Sequence, residues 1–193
     1  VSQVVNKANT SVALTSSQNP APLGTNVTFT AAISITSPGT GTTSGTVQFR
    51  DGATPIAGCS AVTVAMNSAA CSTTALTAGN HTISAIYSGD TNFNTSTGNL
   101  TGNPQVITGP PVLVPAVGLS RVKSAPATNS QIGTVSDDVS SPGSIVVTVQ
   151  TAPTGISVTN IVNNNGTITA DIAAGCAAAT GPATVVLNAA DGK

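Results

Sequence analysis

Stretches in which apolar and polar residues alternate recur along the chain, and turn-forming residues separate them about every 8–12 positions. In the clearest stretch, Asn26–Ile35, every second side chain is apolar, as in a strand that buries one face. Val, Ile and Thr, which suit pleated strands, are abundant, whereas strong helix formers other than Ala are scarce. The pattern therefore predicts an all-β protein.

About seven short strands are expected in the first half of the chain, over roughly 100 residues. They fall in Ser11–Thr15, Asn26–Ile35, Thr46–Arg50, Ile56–Ala65, Ala69–Thr74, His81–Tyr87 and within Thr97–Ile107. Strands of this number and spacing are typical of an immunoglobulin-like antiparallel β-sandwich, and a barrel is the alternative. Alternation places Phe29, Phe49 and Tyr87 on the inward faces.

Gly109-Pro-Pro111 interrupts this pattern, and two adjacent prolines predict a semi-rigid joint. A second set of strands is expected in Val112–Val117, Gln131–Val135, Ser144–Gln150, Gly155–Val162, Thr167–Ile172 and Ala183–Asn188. The prediction is therefore two tandem immunoglobulin-like antiparallel β-sandwich domains, residues 8–108 and 112–193. Residues 1–7 are expected to be a stray strand or linker that precedes the first domain.

The composition excludes several classes of function. Charged residues are 6% of the chain and the net charge is −1, so binding to nucleic acid or to anionic lipid is not expected. No apolar run approaches the ~18 residues of a membrane span. One His, one Tyr and no Glu leave few groups for acid–base catalysis. We therefore expect no enzyme activity, no cofactor and no membrane insertion.

The cysteines give a first candidate site. Cys59 and Cys71 fall in the expected hairpin Ile56–Ala65 and Ala69–Thr74, which would set them roughly opposite each other. A disulfide between them favours an oxidising compartment. Two buried free thiols are the alternative. Cys176 lies in a loop of small residues and is either free or paired between chains.

Four motifs in the first half of the chain are distinctive. They are Leu14-Thr-Ser-Ser-Gln-Asn-Pro20, Gly24-Thr-Asn-Val-Thr-Phe-Thr30, Gly45-Thr-Val-Gln-Phe-Arg-Asp-Gly52 and Ala78-Gly-Asn-His-Thr-Ile-Ser-Ala-Ile-Tyr-Ser-Gly-Asp-Thr-Asn-Phe93. Together they resemble the bacterial Ig-like repeat domains of large cell-surface and secreted proteins, over roughly Ala8–Ile107. The second half resembles another β-sandwich repeat of such proteins, through Ser130–Asp137 and Asn164–Asp171.

The resemblance implies roles for particular residues. Tyr87 is implied to be a buried corner tyrosine, and Asp90 a turn former. Cys59 and Cys71 occupy positions where many members of the family carry a disulfide. The family also implies an extracellular or cell-surface location.

Two residues are candidates for a catalytic group and a sugar-binding group. His81 is the only imidazole, but no Gly-x-Ser-x-Gly motif accompanies it, so we expect it to pack at the sheet rim with one ring nitrogen hydrogen-bonded. Phe93 is the one aromatic residue that alternation does not place inward, and it is therefore the candidate platform for a sugar. The resemblance instead implies a loop residue packed against the sandwich.

Other polar groups are weak candidates. Asp137, Asp138 and Asp171 carry the oxygen ligands that Ca²⁺ prefers, but no Asp-x-Asp spacing is present, so turns are expected and no metal site. Lys7 or Lys123 is a candidate for a side-chain amide crosslink with an Asn, for which a neighbouring buried carboxyl is needed. No such carboxyl is identifiable in the sequence.

Six Asn-x-Ser/Thr sequons are candidate glycosylation sites, which would fit an extracellular surface. Their asparagines are Asn9, Asn26, Asn80, Asn94, Asn99 and Asn165. The alternative is chance, because a chain rich in Asn, Ser and Thr forms this tripeptide often.

The two ends of the chain look out of phase with the domains. Val1, Ser2, Gln3, Val4 and Val5 resemble the last strand of a domain that is absent, and the strands of the second domain run out at Asn188 before a closing strand. One interpretation is a window of a longer tandem array. The other is that these five residues complete the open sheet of the next copy, which would propagate into a head-to-tail filament.

The function expected from these observations is a structural module of an extracellular bacterial surface protein or filament, acting as a spacer or stalk. Its expected partners are copies of itself, joined head to tail by strand complementation, or neighbouring domains of a longer chain. The alternative is an adhesive or carbohydrate-binding module, which would need an exposed aromatic or polar cleft on the loops.

Overall fold

The computed structural model describes residues 1–137 and 141–191. Within them the chain forms mainly antiparallel sheets, no α-helix and one 3₁₀ turn, Pro142–Ser144. The chain divides into two compact units, Val1–Thr108 and Gly109–Lys193. The all-β prediction is confirmed.

Unit 1, Val1–Thr108, contains eleven strands. They are β1 (Thr10–Ser16), β2 (Ala21–Pro22), β3 (Val27–Ile35), β4 (Thr46–Asp51), β5 (Thr54–Pro55), β6 (Val62–Thr63), β7 (Ser68–Thr73), β8 (Gly79–His81), β9 (Ile83–Tyr87), β10 (Ser96–Asn99) and β11 (Gln105–Thr108). One sheet has the order β1-β3-β7, and a second has the order β10-β9-β4-β5, with β6 also paired to β4. A short third sheet has the order β2-β11-β8, in which β2 and β11 run parallel.

The core of unit 1 follows from the alternation of its strands. Strand β3 buries Val27 and Phe29 and leaves the intervening Thr28 partly exposed. Phe49 on β4 and Tyr87 on β9, both fully buried, join Phe29 in the same hydrophobic cluster. Because β3 belongs to one sheet and β4 and β9 belong to the other, these large side chains fill the space between the two layers, and the predicted inward faces are confirmed.

The predicted cystine hairpin is wrong, although its disulfide is present. Most of Ile56–Ala65 consists of turns, and only Val62–Thr63 is a strand, because Gly58, with φ +76°, turns the chain there. Cys59 lies in a turn, and the Cys59 carbonyl oxygen accepts a 3.0 Å hydrogen bond from the N–H of Phe49 on β4. The disulfide to Cys71 on β7 therefore links the two main sheets.

Two predicted single strands are each divided in the structure. The expected strand His81–Tyr87 is β8 and β9, and the expected strand within Thr97–Ile107 is β10 and β11. In both cases one part pairs in the sheet of β4 and the other pairs in the sheet of β2. The chain changes sheets at these breaks, and local alternation does not encode that change.

Unit 2, Gly109–Lys193, contains six strands in its described part. They are β12 (Val112–Pro115), β13 (Thr128–Ser136), β14 (Val146–Thr151), β15 (Ile156–Asn164), β16 (Thr167–Ala174) and β17 (Val186–Ala190). The order β12-β13-β16-β15 forms one sheet, and β14-β17 forms a two-stranded sheet. Ile132, Ile145 and Ile168 belong to the buried core of this unit.

Removing the disulfide tests its contribution to unit 1. We expect the Cys59→Ala/Cys71→Ala variant to lose about 3 kcal/mol of unfolding free energy, because the crosslink no longer restricts the unfolded chain. Chemical denaturation of oxidised protein measures this loss. Cys176→Ala, which changes the exposed free thiol, is the control and should unfold as the wild type does. Equal stabilities of all three proteins would contradict the prediction.

Candidate functional site

The most highly connected polar group of unit 1 is the carboxylate of Asp90, in the turn after β9. Its Oδ1 accepts hydrogen bonds from the backbone N–H groups of Asn92, at 2.8 Å, and Phe93, at 2.9 Å. Its Oδ2 accepts them from the N–H and the hydroxyl of Ser44, at 2.8 and 2.9 Å, and from the Tyr87 hydroxyl, at 3.1 Å. We call these five residues the Asp90 corner.

The corner holds both of its titratable groups in one protonation state. Partial burial acts to raise the pKa of Asp90, but the donated hydrogen bonds of Ser44, Asn92 and Phe93 outweigh it and hold that pKa well below its usual range. Burial, together with the neighbouring Asp90 carboxylate, raises the pKa of Tyr87 to about 12. Near neutral pH the pair therefore serves as a fixed acceptor and donor. The resemblance had implied this corner tyrosine and turn aspartate.

The corner also fastens the segment that precedes β1. The Lys7 ammonium donates to the backbone carbonyl of Asp90 at 2.6 Å. Ala8 donates its N–H to the Asn92 carbonyl and accepts from the Asn94 N–H, both at 2.9 Å, and thereby pairs in parallel with Phe93. The Phe93 side chain is only 4% exposed, so it packs against the sandwich and offers no platform for a sugar.

His81 makes hydrogen bonds through both ring nitrogens. Nδ1 lies 2.6 Å from the Asp51 carboxylate, and Nε2 lies 2.8 Å from the Thr77 carbonyl oxygen. Burial acts to lower the pKa of His81, but these two acceptors outweigh it and raise the pKa above the usual value. The sequence predicts one hydrogen-bonded ring nitrogen, whereas the structure shows two. Both partners favour the imidazolium form, which then joins β8 to the end of β4.

The sequon asparagines are all exposed on the surface. The side-chain amide of Asn94 donates to the Asn9 side-chain oxygen at 2.8 Å, so these two candidate glycosylation sites are neighbours. Glycosylation of the six asparagines stays a prediction.

The remaining candidates are dispersed. Asp171 accepts hydrogen bonds from the amides of Asn129 and Asn160, and Asp138 lies outside the described residues. Across residues 1–137 and 141–191, no group of three or more His, Cys, Asp or Glu side chains is placed to hold a metal ion. Cys176 is exposed, with its sulfur 3.0 Å from the Ser124 hydroxyl.

The structure also places Lys7 and Lys123, the candidates for an amide crosslink, and the candidate donor strand Val1–Val5. The Lys7 ammonium contacts a backbone carbonyl, and the Lys123 backbone forms a single bridge to Ala174. Val1–Val5 lies outside any strand, with its valines exposed. Its role as a donor stays a proposal.

Loss of the central acceptor should destabilise unit 1 more than loss of one donor. Asp90→Ala leaves the Tyr87 hydroxyl and three backbone N–H groups without their acceptor, and we expect a cost of at least about 2 kcal/mol. Tyr87→Phe removes one hydrogen bond and should cost about 1 kcal/mol. Urea denaturation of both variants gives the comparison. A smaller loss for Asp90→Ala than for Tyr87→Phe would show that the corner does not organise this region.

The pKa shifts also predict how stability depends on pH. Because the pKa of His81 is raised on folding, its contribution is complete below about pH 6.5 and is lost as the pH rises through the folded-state value. The depressed pKa of Asp90 gives a contribution that is present above about pH 3.9 and is lost as the pH falls. We therefore expect unit 1 to be most stable between these limits.

Thermal unfolding over a pH series measures this profile. His81→Gln should remove the decline on the alkaline side and leave the acid side unchanged. A wild-type profile that is flat from mildly acidic to alkaline pH would contradict the assignment to His81.

No helix long and apolar enough to cross a membrane occurs in the part of the chain that the structure describes.

In the search of curated proteins, none matches this chain. Among solved structures, the immunoglobulin domains 1–4 of Sidekick-1 are similar, at 12% sequence identity and a TM-score of 0.39. That alignment covers 97% of this chain and 49% of the other, so the chain spans about half the length of that structure.

The comparison with protein families gives a match to the first unit. Residues 14–105 match the family described as bacterial Ig-like domain (group 3). The matched segment contains Tyr87, Asp90 and both bridged cysteines. Domains of this family are structural modules, generally non-enzymatic and typically extracellular. Over residues 14–105, therefore, the chain is similar to the bacterial Ig-like domains of group 3.

Proposed function

We propose that this chain is a spacer or stalk segment of an extracellular bacterial surface protein or filament. In this proposal two tandem sandwich modules, residues 8–108 and 112–193, are joined at Gly109–Pro111 and transmit force along the polypeptide. The observation that carries it is the way in which the first and last segments of unit 1 are bound to each other.

These two segments run side by side in the same direction. Parallel contacts join Ala8 to Phe93, Leu14 to Leu100, and the β2 strand to β11. Tension applied to opposite ends of two parallel segments loads their hydrogen bonds together in shear, so several must break at once. Unit 1 therefore has the pairing geometry of a module that resists extension.

Asn19 reinforces this pairing through its side chain. Its amide donates to the carbonyl oxygens of Gly102 and Pro104, at 3.1 and 3.0 Å, and its oxygen accepts from the Val106 N–H at 2.9 Å. One side chain in the first segment thus makes three hydrogen bonds to the last. We call this arrangement the Asn19 clip.

An adhesive or carbohydrate-binding role is less well supported. All four aromatic side chains of the chain, Phe29, Phe49, Phe93 and Tyr87, are buried. Sugar recognition usually draws on exposed rings, and few charged groups are available to replace them. The aromatic residues lie in the core of unit 1, which favours a structural role.

Single-molecule extension of the whole chain between two handles tests the spacer role. We expect Asn19→Ala to lower the unfolding force of unit 1 clearly, because three hydrogen bonds across the sheared contact are lost. Asn26→Ala, a change at another exposed asparagine of the same unit, is the matched control and should leave the force unchanged. An unaltered force in Asn19→Ala would contradict the proposal.

The same experiment identifies which unit has opened. While the disulfide is intact, the chain between Cys59 and Cys71, a sequence separation of 12, cannot be stretched. Reduction should therefore lengthen the unfolding step of unit 1 by roughly 40 Å. A step of the same length before and after reduction would mean that the observed event does not belong to unit 1.

A further inference from the structure

The disulfide between Cys59 and Cys71 lies inside the core of unit 1. Cys59 is 5% exposed and Cys71 is 2% exposed, and both belong to the same hydrophobic cluster as Phe29. Cys71 stands opposite Phe29 in the ladder between β3 and β7. Its side chain faces inward because its neighbours on the strand, Ala70 and Ser72, face solvent. The folded unit therefore leaves almost none of the disulfide open to solvent.

Backbone hydrogen bonds hold the turn that carries Cys59 on β4. The Ile56 N–H donates to the Phe49 carbonyl oxygen, and the Phe49 N–H donates to the Cys59 carbonyl oxygen, both at 3.0 Å. Ile56 is itself only 6% exposed. Strand β4 lies between β9 and β5 in its sheet. The turn therefore cannot lift away from the disulfide without breaking its bonds to an interior strand.

We propose that the disulfide of unit 1 is a site of thiol–disulfide exchange that becomes accessible only when unit 1 is extended. The reactant is a thiol. Exchange requires a thiolate to reach one of the two bonded sulfur atoms, and burial removes that access in the folded unit. This inference rests on the proposed spacer function, because that function supplies the extension.

Extension converts the buried disulfide into a bond that carries load. The paired first and last segments of unit 1 lie on opposite sides of the two cysteines in sequence. When these segments separate and the sheets open, tension passes from the chain before Cys59 through the two sulfur atoms to the chain after Cys71. The residues between the cysteines, a sequence separation of 12, stay slack. The bond is then both exposed and under tension.

The exchange proceeds in two chemical steps. A thiolate attacks the sulfur of one cysteine, the S–S bond breaks, and the other cysteine leaves as a thiolate. A second thiol then attacks the mixed disulfide and releases the remaining cysteine, so that the two reactant sulfurs end joined as a disulfide. The cysteines gain the two electrons and the two protons that the reactant thiols lose. The first step already frees the slack residues, so unit 1 lengthens by roughly 40 Å.

Force-clamp extension of the full chain in a Cys176→Ser background tests the order of events. Oxidised protein is incubated with dithiothreitol while it is folded, and is then pulled. We expect the short step of the disulfide-bonded unit 1 first. A separate step of roughly 40 Å should follow, at a rate that rises with the dithiothreitol concentration. The Cys59→Ala/Cys71→Ala variant is the control and should give one long step with no second step.

Two outcomes of this experiment would overturn the inference. One long step from oxidised protein would show that the thiol reaches the disulfide while unit 1 is folded. A short step with no second step, at every dithiothreitol concentration, would show that the extended bond does not exchange.

Bulk reduction measures the protection directly. Oxidised protein is exposed to dithiothreitol in buffer and in concentrated urea, and the new thiols are counted by alkylation. We expect reduction to be at least about a hundredfold slower in buffer, because a folded domain opens for only a small fraction of the time. Alkylation of the exposed Cys176 in the wild type is the control for reagent access and should be fast in both conditions. Equal rates of reduction in buffer and in urea would also overturn the inference.

The spacer proposal is contradicted by a different result. It fails if Asn19→Ala leaves the unfolding force of unit 1 unaltered, whereas the inference depends on the order of the two steps and on the ratio of the reduction rates. We expect Asn19→Ala to lower the force of the first step and to leave the rate of the second unchanged, because the exchange occurs after the Asn19 clip has opened.

Discussion

The Asp90 carboxylate joins the loop at Ser44 to the turn that pairs with the first segment of unit 1. Its two oxygens bind the loop at Ser44, the buried Tyr87 and the turn that leads into Phe93. The same turn pairs with Ala8 at the start of the unit. Because the carboxylate accepts five hydrogen bonds, most of them from backbone groups, no neutral side chain of similar size can replace it without leaving donors unpaired. The entry of the chain into the sandwich therefore depends on one ionised group.

The chain has few charged and few aromatic residues with which to stabilise its fold. Charged residues are 6% of the sequence and aromatic residues 2%, so the layers of unit 1 are joined by four rings, small aliphatic side chains and one disulfide. Neutral hydroxyls and amides supply the local connections, as Asn19 does between the first and last segments. Because few side chains make these connections, single substitutions at Asn19 or Asp90 are expected to lower the stability of unit 1 clearly.

The two units differ in how their sheets are paired. In unit 1 the short sheet β2-β11-β8 joins a strand from the beginning of the unit to the last one, and Ala8 and Leu14 add parallel contacts to Phe93 and Leu100. In the described part of unit 2, β14 and β17 pair with each other in a two-stranded sheet, and Val158, Ile172 and Leu187 pack against the core while only partly buried.

The sequence by itself determined the all-β class, the inward faces that carry Phe29, Phe49 and Tyr87, and most strand positions to within a few residues. These features follow from the two-residue period, which is local and states which face is buried. The tertiary structure alone decided that Cys59 bridges two sheets from a turn, that β8 and β9 belong to different sheets, and that Asp90 gathers five donors. Those outcomes depend on pairing between residues far apart in the chain, which a local alternation of polar and apolar side chains does not encode.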